Sequence, residues 1–143
     1  MALANVLLID DEVPFVETMT KRLTKRNLQI TTAFSGQEAI KSLKKKPGVE
    51  VIILDVKMPG MDGIETLQEI KKCYPLIEVI MLTGHGTVES AIEGMKLGAF
   101  DYLMKPCDMD QLISKVKEAV AKKRSHEEKI IEARMKEITT RRA

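Results

Sequence analysis

Five short apolar runs do most to limit what this chain can fold into. They are Val6–Ile9, Leu28–Ala33, Val49–Leu54, Val79–Leu82 and Ala99–Leu103, and their starts lie about 20–30 residues apart. Runs such as VEVIILD are continuously apolar rather than alternating, as strands covered on both faces are. Between the runs, apolar residues recur at helical spacing. Strands alternating with helices imply βαβ units and an α/β fold around a parallel sheet. The 143 residues suffice for one substantial core.

Local signals place the helices. Pro14 follows the acids Asp10–Glu12, where a fixed φ and a missing N–H suit a first turn. Phe15, Met19 and Leu23 then form a stripe. Ser35-Gly-Gln-Glu38 has the spacing of a capping box, with Ala39 and Leu43 facing inward. Gly63 precedes the apolar face of Ile64, Leu67 and Ile70, which Tyr74-Pro75 stops. Thr87 or a neighbour starts a fourth helix, with Ala91, Met95 and Leu97 expected inward before Gly98. The last helix begins near Asp108 with a packed stripe of Met109, Leu112, Ile113, Val116 and Val120. From Lys122 it turns polar, and Ile130, Ile131, Met135 and Ile138 resume the spacing. We therefore expect one domain over 1–121 and a polar helical extension or linker over 122–143, with a homodimer through the last helix as one use of it. A heptad seam is interrupted at Lys123 and His126, which weakens the case for a coiled coil.

Composition excludes several classes. No apolar run reaches the roughly 18–20 residues of a membrane span, and 31% of residues are charged. The N-terminus reads as a buried strand, not a secretory signal. A net charge of +2 and 3% aromatic residues argue against direct nucleic-acid binding. Cys73 and Cys107 share no metal-site spacing and read as reduced thiols of a cytoplasmic protein.

In open α/β sheets, sites form beyond the carboxyl ends of strands. Those ends carry Asp10, Asp11 and Glu12 after the first strand, Asp55 after the third, Thr83 after the fourth and Lys105 after the fifth. Clustered carboxylates call for a cation, and Mg²⁺ takes a few carboxylates plus water and phosphate oxygens. Asp55 can act as an oxygen nucleophile. Lys105 and Thr83 offer a positive charge and a hydroxyl to phosphoryl oxygens, which suits a transfer carried mainly by positioning and charge neutralisation. Any one of these residues alone is as well explained by capping or turn chemistry; placement on four strand ends is not.

Leu7-Leu-Ile-Asp-Asp-Glu12, Ile53-Leu-Asp-Val-Lys-Met-Pro-Gly-Met-Asp-Gly63, Met81-Leu-Thr-Gly84 and Ala99-Phe-Asp-Tyr-Leu-Met-Lys-Pro106 resemble the four motifs of the bacterial two-component response-regulator receiver domain. The resemblance covers roughly residues 4–121. It implies a chemotaxis-regulator-like, flavodoxin-like sheet of five strands in order 2-1-3-4-5 with five helices. It further implies phosphoryl transfer to Asp55 from a sensor histidine kinase or a histidine phosphotransfer protein. By the same resemblance, Asp10, Asp11, Asp55 and the backbone carbonyl of Lys57 hold Mg²⁺, and Thr83 and Tyr102 form a switch acting on the face of the fourth helix, fifth strand and fifth helix. Lys105 contacts the phosphoryl group and precedes a cis proline, and Lys57 and His85 tune phosphoryl lifetime. Such a chain signals and is not an enzyme beyond its own phosphorylation and dephosphorylation.

Other chemistries fit less well. A haloacid-dehalogenase-type phosphatase needs an acid where Lys57 stands. Gly84-His-Gly86 lacks the third glycine of a dinucleotide loop, and no GxxxxGK[ST] run exists. The output stays open among a stand-alone receiver with a protein target, a phosphorelay intermediate, and the receiver of a multidomain transcription regulator. Phe34-Ser-Gly-Gln-Glu-Ala and the segment from Thr83 resemble receivers of nitrogen-regulation-type activators.

Overall fold

A computed structural model describes residues 2–58, 60–84 and 86–142. The order is β1 (Ala4–Ile9), α1 (Val13–Lys25), β2 (Leu28–Ala33), α2 (Gly36–Lys45), β3 (Val51–Leu54), α3 (Gly63–Cys73), β4 (Glu78–Thr83), α4 (Val88–Lys96), β5 (Asp101–Met104) and α5 (Met109–Arg142). The five strands pair in parallel in the order β2-β1-β3-β4-β5, as expected.

Successive side chains on a strand point to opposite faces, so continuous apolarity builds two cores. Val6, Leu8, Ile53, Ile80 and Leu82 pack with α1 and α5 on one face. Leu7, Ile9, Ile52, Leu54, Val79 and Met81 pack with α2 and α3 on the other. The central strands are thus buried on both sides, which holds their carboxyl ends in fixed register.

Two local expectations need correction. Ser35 does cap α2, its Oγ accepting from Glu38 N–H at 3.1 Å. The Glu38 carboxylate, however, accepts from Phe34 N–H at 3.1 Å, one residue before the cap, so the box is not reciprocal. Met95 is 47% exposed. The buried residue of α4 is Gly94, where a Cβ would lie 2.8 Å from Met81 Sδ. The helix approaches the sheet through that glycine, and Met95, about 100° further round, turns to solvent. Thr87 caps α4 in a reciprocal box with Ser90.

The last helix runs unbroken past the body. Its first part buries Leu112, Ile113, Val116, Ala119 and Val120. At the N-terminal edge of the sheet, Arg124 then donates to both Glu50 oxygens at 2.9 and 3.1 Å and to Leu3 O at 3.2 Å. Lys122 lies 3.1 Å from buried Glu78. Beyond Arg124, Ile130, Ile131, Met135 and Ile138 are 40–61% exposed. Among the described residues no helix is long and apolar enough to cross a membrane.

Candidate phosphoryl-acceptor site

Main-chain bonds between neighbouring strands fix the site residues. Asp10 N–H donates to Ala33 O at 3.1 Å, Asp55 N–H to Ile9 O at 3.0 Å, and Lys105 N–H to Thr83 O at 2.9 Å. Asp10, Asp55 and Lys105 are therefore each the first residue past a strand whose position a neighbouring strand sets. The Lys105-Pro106 peptide is cis, as expected.

Asp10, Asp11 and Asp55 converge: each offers a carboxylate oxygen, and these lie within 4.8 Å of one another. Asp10 and Asp55 are each 1% exposed. Repulsion between two ionised carboxylates at that range is on the order of 3 kcal/mol at an effective dielectric near 20. One cation of the chain offsets part of it. Lys105 Nζ donates to Asp10 Oδ2 at 2.7 Å, lies 3.5 Å from Glu12 Oε1, and sits 3.9 Å from the centre of the Phe15 ring.

The protonation balance follows. Burial raises the Asp10 pKa, and the Asp55 charge adds to the rise; bonds from Lys105 and Glu12 N–H pull the other way and do not cancel it. For Lys105, burial acts downward and is the largest single influence, yet Asp10, Asp55 and Glu12 together carry its pKa above the ordinary lysine value. The pair thus holds a firmly charged lysine against an acid that ionises reluctantly.

Asp55 is differently committed. Its Oδ1 accepts from Val56 N–H at 2.9 Å. Its Oδ2 is buried with no hydrogen-bond partner among the described residues. A buried anionic oxygen without a partner is costly, and an all-oxygen donor set open on the Asp11 side suits a hard divalent cation. Below, α3 begins at Gly63, whose N–H donates to Val56 O at 2.7 Å; Asp62 caps that helix through Glu65 N–H at 2.9 Å.

The remaining site candidates spread outward. Thr83 is the last residue of β4 and fully buried. Tyr102 is half-buried, with its hydroxyl 3.0 Å from Ser90 Oγ in the α4 cap, and Gly86 lies so close that a Cβ there would strike the ring. Lys57 is exposed in the loop between β3 and α3. His85 lies outside the described residues. Sequence reasoning missed Phe15 and Glu12 as neighbours of Lys105, because it read Phe15 only as part of a core stripe. It also missed Ser90 as the partner of Tyr102, although the Thr87-x-x-Ser90 cap spacing carried a signal.

Comparison with known proteins agrees. Residues 6–117 match the family described as the response regulator receiver domain. A putative NtrX-like response regulator of Rickettsia bellii is 40% identical over 121 residues, covering 83% of this chain and 25% of that protein. A receiver domain protein from Clostridium thermocellum, solved by crystallography, is 37% identical with a TM-score of 0.81, covering 85% of this chain and 98% of that one. NtrX from Brucella abortus is 32% identical with a TM-score of 0.81, over 90% of this chain and 29% of that one. The chain spans about a quarter of the length of the curated relatives it matches. With the family match, the sheet order and the carboxylate cluster in agreement, the chain belongs to the response regulator receiver domains of two-component systems.

Proposed function

We propose that this receiver takes a phosphoryl group onto Asp55 from the phosphohistidine of a sensor histidine kinase or a histidine phosphotransfer protein. The observation that carries this is a buried Asp55 that has one carboxylate oxygen, Oδ2, without a hydrogen-bond partner among the described residues and that offers a carboxylate oxygen within 4.8 Å of those of Asp10 and Asp11. Asp10, Asp11 and Asp55, with the Lys57 carbonyl, are the residues to hold Mg²⁺, which when bound supplies charge neutralisation to the phosphoryl oxygens.

The chain's own residues do the rest. An Asp55 carboxylate oxygen forms a bond to phosphorus as the phosphorus–nitrogen bond of the donor breaks, and the imidazole leaves with the electron pair and takes a proton from water. The Val56 N–H bond at Oδ1 fixes the carboxylate rotamer. Lys105 then balances the charge on the phosphoryl oxygens. Thr83 reports the new group, and Tyr102 passes the change to α4 through its contact with Ser90, on a two-state basis. Lys57 and His85 set how fast water removes the group. The protein is a signalling domain acting in the cytoplasm, where such donors are made.

For output, we favour the receiver unit of a longer regulator over a phosphorelay intermediate. The relatives' greater length and an α5 that carries on beyond Arg124 support that reading. We place the receiver at 1–121 and the linker at 122–143, the first residues of the linker being tied back by ion pairs. The test of the site is intact mass after treatment with Mg²⁺ and acetyl phosphate: the wild type gains one phosphoryl group and Asp55→Asn gains none. Equal gain by both refutes the assignment.

A further inference from the structure

We propose that Phe15 is the positioning residue for Lys105, holding the ammonium inside the acidic cleft through its ring face; this rests on the Asp55 reading above. The ring centre lies 3.9 Å from Nζ, well inside the roughly 6 Å range of a cation–π contact. The lysine side chain is only 13% exposed, so the contact is largely desolvated, the condition in which it is strongest.

The geometry gives three neighbours different roles. Asp10 at 2.7 Å holds the ammonium at the metal cluster. Glu12 at 3.5 Å, with its side chain 52% exposed, draws it toward water. Phe15 attracts the cation without a full charge, excludes water from one side and offers no hydrogen bond to be broken. A phosphoryl group on Asp55 needs a cation that can leave Asp10 without leaving the cleft, and the ring supplies that track. The ring itself is fixed. It is half-buried against the Leu8 and Val16 side of the core, one residue after the proline in the first turn of α1.

The test compares Phe15→Leu, Phe15→Tyr and Glu12→Gln in the full chain, with Asp55→Asn as control. Initial phosphorylation rates by acetyl phosphate are corrected for folded fraction. Phe15→Leu keeps an apolar side chain but loses the ring and should slow labelling about fivefold; Phe15→Tyr should stay within about twofold of wild type. Glu12→Gln should not slow it. Proton NMR supplies a readout independent of rate: Lys105 ε-methylene protons should be shifted upfield by the ring in wild type and Phe15→Tyr, and return in Phe15→Leu. Absence of that shift in the wild type overturns the proposal even if Phe15→Leu fails to fold. So do equal rates for wild type and Phe15→Leu, or equal losses in Phe15→Leu and Phe15→Tyr. If Asp55→Asn labels like wild type, it is the site reading that fails, independently of Phe15.

Discussion

Gly63→Ala separates helix propensity from the packing that sets the acceptor. Gly63 is the first residue of α3, and replacing a helical glycine with alanine ordinarily stabilises by about 0.5–1 kcal/mol. Here a Cβ would overlap the Asp55 carbonyl oxygen and the Val56 Cα and come within 2.8 Å of the Val56 carbonyl oxygen. All three are backbone atoms, so no side chain can turn aside. Relief requires α3 to back away, stretching the 2.7 Å bond from Gly63 N–H to Val56 O. Overpacking costs about 1–3 kcal/mol and a lost hydrogen bond about 1 kcal/mol. Against the propensity gain, the net expected loss is about 1–3.5 kcal/mol. At about 3 °C per kcal/mol for a domain of this size, the thermal midpoint should fall by about 3–10 °C. Urea unfolding measures the free energy directly. Any part of the strain taken up by Val56 shifts the N–H that fixes Asp55 Oδ1, so acetyl phosphate labelling of the folded variant should slow as well. A Gly63→Ala protein as stable as wild type, or more so, refutes this packing account.

Other outcomes follow from single contacts. Arg124→Ala removes the two-pronged bond to Glu50; with Arg124 half exposed to screening, the cost should be about 1 kcal/mol and shrink at high salt, and amide exchange from Ala121 onward should quicken. Equal urea midpoints at low salt would contradict it. Asp10 has a raised folded pKa, so its proton stabilises the fold fully below the unfolded value of 3.8, and that contribution is lost as pH rises through the folded value. Without metal, the unfolding free energy of wild type minus that of Asp10→Asn should therefore decline as pH rises from about 4 toward neutral; a rising difference reverses the sign of the argument. Calorimetric titration should show Asp11→Ala weakening Mg²⁺ binding more than Thr83→Ala does, and the opposite order would displace the metal assignment. Sedimentation of chains ending at Arg124 and at Ala143 tests pairing through α5: if neither self-associates, with or without a phosphoryl analogue, Ile131, Met135 and Ile138 do not form a dimer seam.

What was legible in the sequence depended on the range of the cause. The strands declared themselves because burial on both faces demands unbroken apolarity, and the site residues stood out because a parallel sheet brings its strand ends together. Caps at Ser35, Asp62 and Thr87 are local chemistry and lie near where turn residues suggest. Met95 went wrong because α4 meets the sheet through a glycine, which contributes nothing to an apolar pattern. The Glu50–Arg124 and Glu78–Lys122 pairs had no local signal: their partners are 74 and 44 residues apart, and one acid among many lysines does not name its mate. Phe15 was hidden by a sound reading, since a ring in an apolar stripe packs one edge in the core and can still show a face to a cation.

The central claim is that Asp55 becomes an acyl phosphate. The most direct test is reductive trapping: the chain is incubated with Mg²⁺ and acetyl phosphate, treated with borohydride, digested and sequenced by mass spectrometry. Borohydride converts an aspartyl phosphate to homoserine. Conversion should appear at Asp55 alone, and vanish when Mg²⁺ is chelated. Conversion at Asp10 or Asp11, or none in a protein whose intact mass shows phosphorylation, would contradict the account.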